Sequence, residues 1–178
     1  MISLQLPREL LQLLTDELVR AGTREIGGVV AGEHLGGDVF RVLDISVQRA
    51  GGTTNGFTRN LQHSRRFLNQ FFRKTGHDYA RYNYLGEWHS HPLFDAHPST
   101  TDFQQMQEIV ETGEDRPLFA VLIIVRLKPP AQLELSACAF RPGAPIANVD
   151  VVVIDYPPLK NNKSWWARLR DFRFSWSA

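Results

Sequence analysis

Apolar residues recur along this chain with two different periods, and each change of period marks an element. Ile2–Leu6 alternates apolar with polar positions and predicts a short strand. Pro7 then opens a helix, since proline at the first helical position gives up no hydrogen bond. Leu10, Leu11, Leu14 and Leu18 give that helix one apolar face through Arg20, and Ala21-Gly22-Thr23 ends it. Glu25–Ala31 reads as a buried strand. Its Gly27 and Gly28 point to close approach of another backbone, a bulge or a ligand. Gly32–Asp38 reads as a turn, Val39–Val47 as a strand, and Ala50–Gly56 (A-G-G-T-T-N-G) as a polar connection. His63–Thr75 predicts a second helix, with Phe67, Leu68, Phe71 and Phe72 on one side and Arg65, Arg66, Arg73 and Lys74 on the other. Tyr82–His91 is expected to be the central strand and Ser99–Thr112 a third helix. Leu118–Leu127 and Leu133–Phe140 are strands around a Lys128-Pro129-Pro130 turn, and Val149–Ile154 is the last strand.

Runs of adjacent strands between helices predict an α+β fold: one domain with a mixed, mainly antiparallel sheet flanked by helices. Its expected extent is residues 1–155. A tail, 156–178, follows and contains Pro157-Pro158. In it, Trp165, Leu169, Phe172 and Trp176 fall on one helical face, with Lys163, Arg168, Arg170 and Arg173 around them. This tail is expected to pack on its own domain or on a second copy; docking to a partner protein or lying on a membrane surface are the alternatives. With 178 residues, 43% of them hydrophobic and 22% charged, the chain can bury a substantial core. A net charge of +1 gives no general field for nucleic acid, and no nucleic-acid partner is expected. The single cysteine, Cys138, excludes an internal disulfide and any C-x-x-C metal knuckle, which fits a cytoplasmic protein. The N-terminus has no signal-peptide pattern, and no apolar run is long enough to span a bilayer.

The chemistry concentrates in Leu85–Asp102, L-G-E-W-H-S-H-P-L-F-D-A-H-P-S-T-T-D. Alternate residues of a strand share a face, so His89 and His91 point the same way. Ser99 and Asp102 have the spacing of a helix-start capping box. Each pair has an ordinary reading by itself: polar residues on a wet sheet face, and a cap. Together they supply two imidazoles and a carboxylate, a donor set that suits a catalytic zinc with an open position. There is no helical H-E-x-x-H zinc site.

The spacing H-x-H-x7-S-x-x-D resembles the JAMM motif of the MPN+/JAB metalloprotease family. The upstream E-I-G-G-V-V-A-G is similar to that family's glutamate-bearing strand, and L-G-E-W-H-S-H-P to the motif's form in its bacterial, deubiquitinase-like branch. The likeness covers most of residues 1–155 in element order. It implies a JAB/MPN fold of cytidine-deaminase-like architecture. By position it implies zinc on His89, His91 and Asp102, Glu25 as general acid/base, and Ser99 as an oxyanion donor. Glu87 departs from the aromatic residue of many eukaryotic members. It is expected either to orient a histidine or to touch substrate, with competition against Glu25 as base left open. The implied reaction is hydrolysis of the bond after the C-terminus of a ubiquitin-like modifier, with the modifier and its conjugated target as partners. Activating and conjugating enzymes of the same operon are possible further partners. The setting is either a ubiquitin-like operon or an antiviral one in which a conjugated cGAS-like synthase is released. Processing of a sulfur-carrier protein is an alternative. A non-catalytic zinc-binding scaffold that docks partners through the tail is an alternative of another class.

Overall fold

In the computed structural model, residues 1–54, 56–112 and 116–156 are described. Their order is β1 (Ser3–Pro7), α1 (Arg8–Ala21), β2 (Gly27–Gly36), β3 (Val39–Ile45), α2 (Leu61–Lys74), β4 (Tyr82–Ser90), α3 (Thr100–Glu111), β5 (Ala120–Lys128), β6 (Gln132–Phe140), β7 (Ala147–Asn148) and β8 (Asp150–Ile154). The strands form one sheet in the order β7-β6-β5-β4-β2-β3-β1-β8. Four pairings are antiparallel. Three are parallel: β1 with β3, β1 with β8, and β4 with β5. The fold is therefore the expected α+β arrangement around a mixed sheet.

Side-chain alternation decides which helix covers which face. Val121, Ile123 and Val125 of β5 join Leu10, Leu14 and Leu18 of α1 in the largest core cluster. Ala120, Leu122 and Ile124 point the other way and pack with Met106 and Val110 of α3. Phe71 of α2 packs with Ala31 and Leu43. With helices on both sides, β5 can read as an almost unbroken apolar run.

Several boundaries differ from expectation, each for a pairing reason. β2 begins at Gly27 and runs on to Gly36, so Glu25 precedes the strand and the expected turn shrinks to Gly37-Asp38. Gly32 and Glu33 find ladder partners on both sides, in β3 and in β4, which keeps the segment extended. α2 starts earlier, at Leu61, because the Asn60 side chain accepts a hydrogen bond from the His63 amide at 3.0 Å. β4 ends at Ser90, yet His91 stays tied to the sheet through its amide, which donates to the Val125 carbonyl at 2.9 Å. No helix among the described residues is long and apolar enough to cross a membrane. The tail from residue 157 onward lies outside the described residues.

Candidate metal centre

The end of β4 builds the site by sending alternate residues to opposite faces. Trp88 is buried and its indole Nε1 donates to the Ser46 carbonyl at 2.8 Å. Buried Ser90 ties β4 to the start of β2. Its Oγ accepts from the Ile26 amide at 3.0 Å, and its amide donates to the Ile26 carbonyl at 2.8 Å. His89 and His91 are left on the other face, their Nε2 atoms 3.1 Å apart. Gly27 sits beside them, where a Cβ would come within 2.8 Å of the His89 Cβ. The β2 glycines therefore do allow close approach, Gly27 of the histidine strand and Gly28 of Ser46 on the other side.

Asp102 arrives from the first turn of α3. The capping box is complete: the Asp102 amide donates to Ser99 Oγ at 3.2 Å, and the Ser99 amide donates to Asp102 Oδ2 at 2.7 Å. The Ser99 hydroxyl adds a third bond to the same Oδ2 at 2.7 Å. The carboxylate so held lies 3.2 Å (Oδ1) from His89 Nε2 and 3.5 Å (Oδ2) from His91 Nε2. On the far side of its ring, His91 Nδ1 is 3.2 Å from the Asp95 carbonyl. A carbonyl only accepts, so Nδ1 carries the proton and Nε2 is free to ligate.

These separations fit one ion. Bonds of about 2.1 Å to a tetrahedral centre put ligand atoms about 3.4 Å apart. The two Nε2 atoms are 3.1 Å apart, and each lies close to one oxygen of the Asp102 carboxylate, Oδ1 at 3.2 Å for His89 and Oδ2 at 3.5 Å for His91. His89, His91 and Asp102 can thus hold a metal ion together. Electrostatics agree. Burial opposes the charge of Asp102, but hydrogen bonds from His89, His91 and Ser99 hold its carboxyl far below the usual range. Burial also works against a charged His91, and is outweighed by Asp102 and the Asp95 carbonyl, which raise the imidazole above its ordinary value.

Glu25 opens on the same cleft, of about 770 Å³. It is buried, and its amide donates to the Thr53 carbonyl at 2.8 Å. Burial pushes its carboxyl upward, against the pull of His91 and His89. Phe57 and Arg59 from the segment before α2, Phe94 from the loop after β4, and Thr101 and Gln105 from α3 line the cleft further.

Glu87 has a partner that sequence reasoning did not find. Arg59 Nε donates to its Oε2 at 2.7 Å, and Arg59 Nη2 lies 2.6 Å from the same oxygen. Gln48 was missed as well. Buried at the end of a strand pattern, its amide donates to the carbonyls of Ala50 and Thr58 at 2.7 and 2.8 Å and accepts from the Asn60 amide at 2.8 Å. It pins the polar connection into a closed loop over Glu25. No local spacing announces either contact. Asp95 and His97 line the cleft as well. Cys138 is buried in mid-strand and its thiol is pushed up to about 12 by burial, which makes it inert.

Fold and cluster together define a class: a single α+β layer domain with a His-His-Asp site at the end of its central strand and a buried carboxyl in the same cleft. The family described as prokaryotic homologs of the JAB domain matches residues 7–137, and the chain belongs to it. A curated relative, named CD-NTase/cGAS isopeptidase, from Enterobacter hormaechei subsp. hoffmannii (strain UCI 50), is 30% identical over 149 residues, 80% of this chain and 78% of that protein. Among solved structures, a Desulfitobacterium hafniense protein determined in solution superposes with a TM-score of 0.61 at 17% identity, covering 86% of this chain and 94% of that one. A JAB1/MPN domain protein from Archaeoglobus fulgidus gives a TM-score of 0.45 at 18% identity, covering 84% and 98%.

Proposed function

We propose that this protein is a zinc-dependent isopeptidase that hydrolyses the bond after the C-terminus of a ubiquitin-like modifier and so releases a conjugated cGAS-like synthase. The observation that carries the reading is the convergence of His89, His91 and Asp102 in one cleft with buried Glu25. The printed name of the Enterobacter relative supports the choice of conjugate.

Zinc on these three residues would supply Lewis acidity and lower the pKa of water at its open position to about 7. Glu25 accepts a proton from the attacking water and returns it to the departing amine as the C–N bond breaks. A carboxyl raised by burial suits both halves of that transfer, since it must take and give near neutral pH. Glu87 is taken up by Arg59, which leaves Glu25 as the carboxyl free for this role. Ser99 has two duties: its hydroxyl holds Asp102, and it turns from Oδ2 to donate to the developing oxyanion. One such donor contributes about 3 kcal/mol. The partners are the modifier and its conjugated target, together with the enzymes that attach the one to the other.

The test uses the full chain loaded with zinc and, in parallel, stripped by a chelator. It is given a modifier–synthase conjugate and a sulfur-carrier fusion, and products are read by mass spectrometry. The conjugate is expected to be cut at the modifier's terminal residue only when zinc is present. Cleavage of the sulfur-carrier fusion alone would reassign the substrate, and cleavage of neither would leave a binding scaffold.

A further inference from the structure

We propose that Arg126 is a positioning residue of the metal site, clamping the turn after β4 so that His91 presents Nε2 to the ion. The inference rests on the metal reading above and goes deeper into the same site. β5 lies parallel to β4, with Val125 beside Ser90, so the next residue of β5 stands next to the turn that begins at His91. Arg126 reaches across that turn. Its Nη1 donates to the Phe94 carbonyl at 3.0 Å and pairs with Asp95 Oδ1 at 2.9 Å. Its Nε is held by Glu134, the cross-strand neighbour on β6, whose other oxygen is 2.7 Å from Lys128 Nζ.

What the clamp fixes is the Asp95 carbonyl. That oxygen accepts from the His97 amide at 2.7 Å and lies 3.2 Å from His91 Nδ1. It thereby decides which nitrogen of His91 keeps its proton and where the ring points. Apolar packing cannot do this job at the turn's tip. Leu93 and Phe94 are 56% and 52% exposed, and the first buried side chain after them is Ala96. The turn's shape therefore depends on the guanidinium. Its planar fork serves Glu134 on one side and the turn on the other, and a lysine, with a single ammonium on a flexible stem, cannot reproduce that geometry.

Zinc affinity of the full-length chain, measured by competition with a chromophoric chelator, tests the inference without reference to turnover. Arg126→Gln is expected to lose about 10- to 100-fold in affinity, the usual effect of removing a partner that orients a ligand. Arg126→Lys is expected to restore little of it. Combining Arg126→Gln with Asp95→Ala should cost no more than Arg126→Gln alone, because both cut the same link. Melting of the zinc-free proteins separates positioning from bulk stability. Unchanged zinc affinity in Arg126→Gln, with or without a lower melting temperature, overturns the proposal. If Arg126→Gln does not fold, Arg126→Lys, which keeps the charge and the apolar stem but not the fork, decides on the same criterion. A parent protein that binds no zinc overturns the metal reading itself, an outcome distinct from any variant-specific result.

Discussion

The Gly52 backbone lies against that of Glu25, so closely that an added Cβ would fall 1.7 Å from the Glu25 carbonyl oxygen. Gly52→Ala must therefore displace one segment or the other. Misplacement of a reacting group by about 1 Å can cost about 100-fold in rate. Turnover of Gly52→Ala is expected to fall on that order while elemental analysis still finds bound zinc. Undiminished turnover would show that this contact does not place Glu25. A second residue-scale prediction concerns Arg59 and Glu87. Arg59→Met leaves the half-buried Glu87 carboxylate without its partner and is expected to cost about 1–2 kcal/mol in urea unfolding. Adding Glu87→Gln to it should recover much of the loss, and no recovery would mean that the pair is not coupled. The residues that sequence revealed and those it hid differ in one physical respect. His89 with His91 and Ser99 with Asp102 announce themselves through the period of a strand and the geometry of a helix start, which are local rules. Glu25 became visible through its likeness to the glutamate strand of a known family. Arg59 and Arg126 act through contacts between segments far apart in the chain, Arg59 with Glu87 across 28 positions and Arg126 with Phe94 across 32, and Gln48 through bonds to a loop whose closure no spacing rule announces.

At the scale of elements, patterns of apolar period located the three helices and the main strands of the described residues, because each buries a face. Ends were less legible. β2 runs beyond its apolar stretch since two neighbouring strands offer hydrogen bonds, and that depends on partners far along the chain. The attachment of α1 also has a polar component. Glu17, buried on α1, receives Arg49 Nε at 2.6 Å and Arg49 Nη2 at 2.8 Å, and Arg20 Nη1 at 2.7 Å. The Arg49 hydrogen bonds, against the effect of burial, hold its carboxyl below the ordinary range. A lowered folded-state value stabilises the fold above the unfolded value of about 4.3 and ceases to do so as pH falls through the folded one. Glu17→Gln should accordingly be less stable than the parent at neutral pH, with the gap closing below about pH 4. Denaturant unfolding at neutral and acid pH measures this, and a gap independent of pH would refute it.

For the whole molecule, the class of fold was readable from element order, but the strand order was not. Placing β1 between β3 and β8, both parallel to it, requires crossovers that no local pattern encodes. Tyr156, the last described residue, packs beneath the Arg41 guanidinium, whose carbon lies 4.3 Å from the ring centre. If the domain ends near that point, deleting residues 159–178 should spare zinc binding and cleavage of a small fusion, and should weaken self-association or partner binding in light scattering and pull-down. Loss of the fold on truncation would instead make the tail part of the domain. The proposed hydrolysis divides the labour, with three residues to hold zinc and Glu25 to move the proton. Its most direct measurement pairs zinc stoichiometry with intact-mass analysis of a modifier–synthase conjugate, for the parent and for Glu25→Gln. The account predicts one zinc per chain in both proteins and cleavage by the parent alone. Cleavage by Glu25→Gln at the parent's rate, with zinc equally bound, would contradict it.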